Sequence, residues 1–314
     1  ALLDIASMHP TSLRLLGYLG PYTKNFTDLV DARLAIKHGD HKSVRKMLDG
    51  KLAKYIDDPE ISDKKLSYAL KIIINSVYGY TCARFECEFR HPRNIDNIVA
   101  KRGALFMINL KHEVQKRGFT VAHIKTDSIK IPNATPEIIS FVQDYGKEYG
   151  YVFEHEDTYE KMCLVNQSVY ICKSKGHDAW EATGAQFAVP YVFKTLFSGE
   201  ELEFSDFCET KTVTVGDIYL DMNEGQEDEH NLKFVGRAGL FTPMLPGYGG
   251  GVLYRVADDK MYAISGTKDY RWLESEMVEA LDKADGIDVS YYEELCDAAV
   301  KTIEEYVPYE ELIG

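Results

Sequence analysis

Residues 121–131, VAHIKTDSIKI, alternate apolar and polar side chains on both sides of KTDS, and this pattern restricts the segment to an antiparallel hairpin. FTVAHI and SIKIPN are its two strands, and Asp127 sits in the tight turn between them. An Asp in such a turn is either an ordinary turn residue or a carboxylate held for chemistry. Which of the two applies depends on what the rest of the chain brings beside it.

The preceding sequence predicts a buried strand at LLDIA, a turn at Pro10, and a brief helix in TSLRLLGYLG that ends near Gly17 or Gly20. A helical pattern from Thr27 to about Met47 has a weak point at Gly39, and a polar connection with Pro59 leads to a strong helix over 62–78 that stops at Gly79. These two helices form an antiparallel hairpin. Residues 80–90 read as a strand, and NIDNIVAKRGALFMINLKHEVQKRG as a long amphipathic helix capped by Asn94. After the KTDS hairpin come a helix in TPEIISFVQDYGKEYG and strands near 151–156, 161–165 and 168–174. The order describes an α+β fold, an antiparallel sheet with helices on one face. Beyond Ala185 the expectations are a helix in FAVPYVFKTLF, strands at 211–221 and 252–264, and mostly helix over 270–306. PGYGGG at 246–251 lacks the strand-to-helix context of a phosphate cradle and reads as a tight loop.

Charge is divided along the chain. The net charge is −14, yet residues 1–150 hold 23 Lys and Arg against 17 Asp and Glu, and the remainder 13 against 33. A polyanion therefore has a basic half to lie along, although a plain acidic surface explains the second half equally well. The six cysteines include no C-x-x-C pair, which leaves buried free thiols in a reducing compartment as the expectation. No run reaches the roughly 20 apolar residues of a membrane span, and no signal segment opens the chain, so a cytoplasmic globular protein is expected. ALLDIASMHP begins without Met inside a strand-like run, which suggests a fragment or a chain that completes its fold with another.

Two surfaces concentrate polar chemistry. In DKKLSYALKIIINSVYGY, Lys64, Tyr68, Lys71, Asn75 and Tyr78 fall on one stripe at 100° per residue, with Leu66, Leu70, Ile73 and Val77 opposite. Arg33 and Lys37, spaced i, i+4, could converge with Lys71 on one anion, or be neutralised by Asp28, Asp31 and Asp40. Asp4 ends the strand LLDIA before a turn whose amides, Ile5 to His9, could bind oxyanions. If that strand neighbours the KTDS hairpin, Asp4 and Asp127 meet at the sheet edge and could share two divalent cations about 3.5–4 Å apart.

DIASMHPTS, KIIINSVYG and HIKTDSI resemble, in order and approximate spacing, the three polymerase motifs of family B DNA polymerases, D-x-x-S-L-Y-P-S, K-x-x-x-N-S-x-Y-G and Y-x-D-T-D-S. Lys71, Asn75, Ser76, Tyr78 and Gly79 agree with the middle motif, and Arg33-x-x-x-Lys37 resembles the basic pair of the first fingers helix. RNIDNIVAKRG looks like the palm segment after the middle motif, and FKTLF has the style of phage enzymes. The resemblance covers residues 1 to about 175. It implies a right-hand architecture: palm in 1–26 and 81–184, fingers in 27–80, and a thumb with a mixed C-terminal region in 185–314.

It further implies that Asp4 and Asp127 hold two Mg²⁺ ions, which Mn²⁺ could replace, with the Ile5 carbonyl as a third ligand. Ala6, Ser7, Met8 and His9 would grip the triphosphate through their amides, together with Arg33, Lys37 and Lys71. Asn75 and Tyr78 would line the nascent base pair, which Gly79 lets approach closely. Lys125, Thr126, Ser128 and Tyr170 would meet primer or template, Tyr170 standing for the tyrosine of a K-x-Y motif whose lysine is absent. Lys125 replaces the first acid of the third motif, and His9 replaces the tyrosine beneath the incoming sugar. The implied activity is template-directed addition of deoxynucleotides to primed DNA, in a phage-infected cytoplasm if the source is viral. A proofreading exonuclease is expected on a separate or missing chain. The alternatives are an inactive polymerase-like DNA-binding subunit, or a primase or reverse-transcriptase-like enzyme with relaxed sugar selection.

Overall fold

Alternation along one short strand decides which way the first part of the molecule faces. The computed structural model describes residues 1–223, 229–258 and 260–314, and it divides into two units, Ala1–Tyr159 and Glu160–Gly314. In the first unit β1 (Leu2–Ile5) lies between β3 (Ser128–Lys130) and β4 (Phe153–Asp157), with β2 (His123–Lys125) outside β3. These pairings are antiparallel. Successive side chains point to opposite faces of a sheet, so Leu3 and Ile5 go one way and Asp4 the other.

Leu3, Ile5, Ile129 and Phe153 form one core with Phe106, Met107 and Leu110 of α6 (Ile98–Lys116) and Ile138 and Val142 of α7 (Pro136–Glu148). Each of these side chains contributes about 1.5–3 kcal/mol by leaving water. One sheet face is thereby consumed, and Asp4 lies on the other. α1 (Met8–Leu16) starts directly after this strand and runs through Pro10, where a turn was expected. Proline is tolerated there because first-turn amides have no partner within a helix.

The helical hairpin is present. The helix expected from Thr27 to about Met47 is shorter: α2 (Thr23–Lys37) stops before Gly39, the expected weak point, whose φ of 74° breaks it. α3 (His41–Val44) and α4 (Ala53–Ile56) carry the chain to α5 (Asp63–Thr81), which packs along α2. Ser62 caps α5 by accepting the Lys65 amide at 3.3 Å. The buried stripe of α5 is Leu66, Leu70, Ile74 and Thr81. Ile73, assigned to that stripe from sequence, is 47% exposed, because the inward row advances in steps of four from Leu66.

Gly79 does not end α5 either. The helix continues to Thr81, whose hydroxyl accepts the Asn94 side-chain amide at 2.6 Å in the interior. That buried bond fixes the last turn more firmly than a glycine loosens it. The same Asn94 accepts the Val99 amide at 3.0 Å, so it anchors the start of α6 as expected, although the flanking residue is Asn97 at φ 58°. The expected strand over 80–90 is absent: α5 takes residues 80 and 81, and 82–90 form turns and bends, with Arg90 Nε donating to the Ala83 carbonyl at 3.2 Å.

The second unit opens with a sheet of β5 (Tyr159–Asn166), β6 (Val169–Ser174) and β7 (Trp180–Thr183), followed by α8 (Ala185–Ala188) and α9 (Pro190–Phe193). The single strand expected over 211–221 is two, β8 (Glu209–Thr212) and β9 (Asp217–Asp221), which join different sheets. Gly216, at φ 77°, makes the break, and a Cβ there would stand 2.1 Å from the Val256 carbonyl oxygen. β10 (Leu232–Gly236), β11 (Ala238–Met244), β12 (Val252–Ala257), β13 (Lys260–Ala263) and β14 (Arg271–Glu274) complete sheets ordered β10-β9-β12-β13 and β14-β11-β8. β7, β10, β11 and β14 were not anticipated from sequence. α10 (Ser275–Ala280), α11 (Ser290–Glu304) and α12 (Tyr309–Ile313) close the unit, whose core includes Phe187, Phe241, Trp272 and Tyr292. All six cysteines are free thiols. Among the described residues no helix is long and apolar enough to cross a membrane.

Candidate functional site

The acid pair forms because the hairpin turn lies against the end of β1. The Ile5 amide donates to the Asp127 carbonyl at 3.0 Å, and Asp4 is in register with Ser128 on β3 and Glu154 on β4. Residues paired across antiparallel strands share a face, so Asp4 and Glu154 project together. Both aspartates are half-buried. Burial first, and then repulsion from Asp127, Glu156 and Glu154, lifts Asp4 to about 7 against the opposing pull of Lys37. Burial also raises Asp127, opposed by its own backbone hydrogen bond and by His9 and Lys71. Burial, Asp127 and the two glutamates together leave Asp4 short of positive charge.

Three non-glycine residues on or near these elements lie in the left-handed region. Thr126, beside Asp127, has φ 53°, Ser7 has φ 60°, and Asn97 has φ 58°. For a β-branched residue such as Thr126 this conformation costs on the order of 1–3 kcal/mol and persists only where surrounding contacts enforce it. Ser7 Oγ accepts Arg33 Nη1 at 2.9 Å. Asn97 Oδ1 accepts the Tyr78 hydroxyl at 2.9 Å, and the Tyr78 ring stacks on His9 with centroids 5.0 Å apart and planes 8° from parallel. Burial lowers the His9 pKa, partly offset by Asp127. His9 Nδ1 and Arg33 Nε are buried and have no hydrogen-bond partner among the described residues. Unmade bonds of this kind are costly unless a ligand completes them.

Beside the pair, Arg33, Lys37, Lys64 and Lys71 line a cleft of about 670 Å³ along α2 and α5, with Ile36, His38, Gly39, Ser67, Tyr68 and one acid, Asp63. The lining thus carries more cations than acids, although Lys37 among them is paired with Glu154. The Ala6 amide is already given to the Val152 carbonyl at 2.9 Å, so of the amides expected to grip a phosphate, those of Ser7, Met8 and His9 at the start of α1 remain. Asn75 and Gly79 lie exposed on α5, and a Cβ at Gly79 would meet nothing within 4 Å. In the hairpin, Ser128 Oγ donates to the Lys125 carbonyl at 3.2 Å. Tyr170 belongs to the second unit, on β6 opposite Thr183.

Sequence reasoning missed Glu154. Lys37 Nζ donates to its Oε2 at 2.6 Å and lies 3.7 Å from Glu156 Oε1, while His38 Nε2 is 3.4 Å from Glu154 Oε1. The alternation in FEHED was visible, but which face it presents to Asp4 depends on a strand register that no local pattern encodes.

Among the described residues no three His, Cys, Asp or Glu side chains are grouped to hold a metal ion. The donor set here is two carboxylates whose raised pKa values a divalent cation would lower, with the Ile5 carbonyl adjoining them in sequence. It fits hard cations that take the rest of their oxygens from a ligand.

This electrostatics has a stability consequence. Asp4's folded-state pKa of about 7 stands above its ordinary 3.8, so its contribution is fully present below pH ~4 and is lost as pH rises through ~7. Without divalent cations, Asp4→Asn should melt higher than the wild type at pH 8, by about 1–2 kcal/mol after allowance for solvent screening, with the gap closing toward pH 4. Mg²⁺ at pH 8 should narrow the gap by stabilising only the wild type. Identical melting curves at both pH values would show that Asp4 carries no such burden.

No family model and no curated protein matches this chain.

Proposed function

We propose that the chain is a template-directed DNA polymerase of the family B type, and one observation carries this reading: Asp4 and Asp127 come together beside a cleft lined by Arg33, Lys37, Lys64 and Lys71. Carboxylates for cations next to cations for phosphates are what phosphoryl transfer requires. In the reaction the primer 3′ oxygen loses its proton and bonds to the α-phosphorus of a deoxynucleoside triphosphate, while the bond to the β-phosphate bridge breaks and pyrophosphate leaves. Divalent cations held by Asp4 and Asp127, with the Ile5 carbonyl, would lower the pKa of that 3′ hydroxyl and neutralise the leaving pyrophosphate. Arg33, Lys37 and Lys71 would hold the triphosphate, and the amides of Ser7, Met8 and His9 would meet its oxygens.

The His9–Tyr78 stack would form the floor under the incoming sugar, and Asn75 with Tyr78 would bound the nascent base pair. Lys125, Thr126 and Ser128 on the hairpin would face the primer end. Tyr170, in the 81–184 stretch assigned to the palm, would meet the primer, and residues 185–314 would serve as the thumb. Lys125, a cation where the family's third motif has an acid, is the feature that favours the second reading, a DNA-binding subunit without activity.

The test is extension of a primed template with Mg²⁺ or Mn²⁺, supplying deoxynucleotides in one arm and ribonucleotides in the other. Extension that needs template, primer and deoxynucleotide is expected. Ribonucleotide incorporation within about tenfold of deoxynucleotide would move the assignment to an enzyme of relaxed sugar choice. DNA binding without extension in either metal would leave the inactive subunit.

A further inference from the structure

Among the described residues, Lys37 is the cation of the cleft that is held by acids of β4. Its Nζ lies 2.6 Å from Glu154 Oε2 and 3.7 Å from Glu156 Oε1. Arg33, by contrast, is bound to a neutral hydroxyl, Ser7 Oγ. The Lys37 and Glu154 side chains are 45% and 23% exposed, so water reaches the pair and a stronger anion can displace it. The contact ties α2, one wall of the cleft, to β4, the strand beside Asp4. His38 Nε2, 3.4 Å from the other Glu154 oxygen, braces the same carboxylate.

We propose that Glu154 is a built-in competitor for the phosphate chain, an autoinhibitory latch that holds Lys37 and α2 against β4 until a polyphosphate takes Lys37 from it. The inference rests on the reading of the cleft as a triphosphate site. A phosphate chain entering between Arg33 and Lys71 offers Lys37 a doubly charged partner in place of a single carboxylate, and the salt bridge exchanges one anion for the other with no bond made or broken covalently. Release of Lys37 leaves Glu154 without its cation beside Asp4, and α2 is then free of β4. Filling the cleft and unfastening the hairpin are one event, so the ligand drives the movement by its preference for the released state.

The experiment measures binding of inorganic tripolyphosphate, without divalent cations, by calorimetry on the whole chain and on Glu154→Gln, Lys37→Met and the double variant. Glu154→Gln should tighten binding about threefold, the range set by partly exposed ion pairs, and should have no effect in the Lys37→Met background. Equal affinity of wild type and Glu154→Gln, or a tightening that persists after Lys37→Met, overturns the latch. If Glu154→Gln does not fold, Glu154→Asp keeps the charge but shortens the reach, and it should tighten binding in the same sense. An unchanged affinity there overturns the proposal equally. The two readings fail separately. Tightening that depends on Lys37, in a protein that never extends a primer, keeps the latch and removes the polymerase. Primer extension with no effect of Glu154 removes the latch alone.

Discussion

Asp127→Asn is expected to extend a primer at least about 10³-fold more slowly than the wild type while binding primed DNA within about twofold of it. The loss corresponds to about 4 kcal/mol of transition-state stabilisation, a fair share for one of two carboxylates that would carry the cations. Asparagine preserves size, and the turn survives because the bond that holds it runs from the Ile5 amide to the Asp127 backbone carbonyl. Asp4→Asn should cost as much, and the double variant little more than either, because two groups serving one site fail as a unit. Single-turnover extension and fluorescence anisotropy with labelled duplex separate rate from affinity. Extension by Asp127→Asn at the wild-type rate would remove the polymerase assignment outright.

Arg33→Ala should lower kcat/KM for the incoming nucleotide about 10- to 100-fold, the scale of one lost charge-assisted hydrogen bond. Its Nη1 is held by Ser7, and its Nε is buried with no partner among the described residues, so the guanidinium is aimed before any ligand arrives. Arg33→Lys should fall in between, because an ammonium keeps the charge and loses the planar fork. Ser7→Ala, which frees the fork without removing it, should cost only a few-fold. Steady-state kinetics with a single correct nucleotide measure all three, and an unchanged KM for Arg33→Ala would move the phosphate site elsewhere.

How much of this could be read from sequence follows the range of the signals. The KTDS hairpin, α6, α7 and the α2–α5 pair were legible, because period and turn chemistry are local. Gly39 was legible only as a weak point in a helix expected to reach about Met47, and the helix in fact ends at Lys37 before it. Gly79 misled, since the buried Asn94–Thr81 bond that carries α5 past it joins residues far apart in order. Ile73 and Ile74 are adjacent and chemically alike, so only packing against α2 selects Ile74 for the core. In the second unit, a run over 211–221 read as one strand because nothing local announced the Val256 carbonyl that crowds Gly216. At the site, Asp4, Asp127, Arg33 and Lys71 were visible as types in a pattern. Glu154 and Asn97 were not, as their relevance arises from strand register and from a left-handed backbone.

The placement of β1 between β3 and β4 has a consequence for how the protein is made. Leu2–Ile5 leaves the ribosome well before its two neighbours, Ser128–Lys130 and Phe153–Asp157. Sheet closure must therefore wait for a partner that is synthesised about 150 residues later, and contacts across such separations form slowly. Until then Asp4 and Asp127 remain ordinary solvated acids. A half-made chain therefore lacks the paired acids, and the site exists only once the sheet has closed.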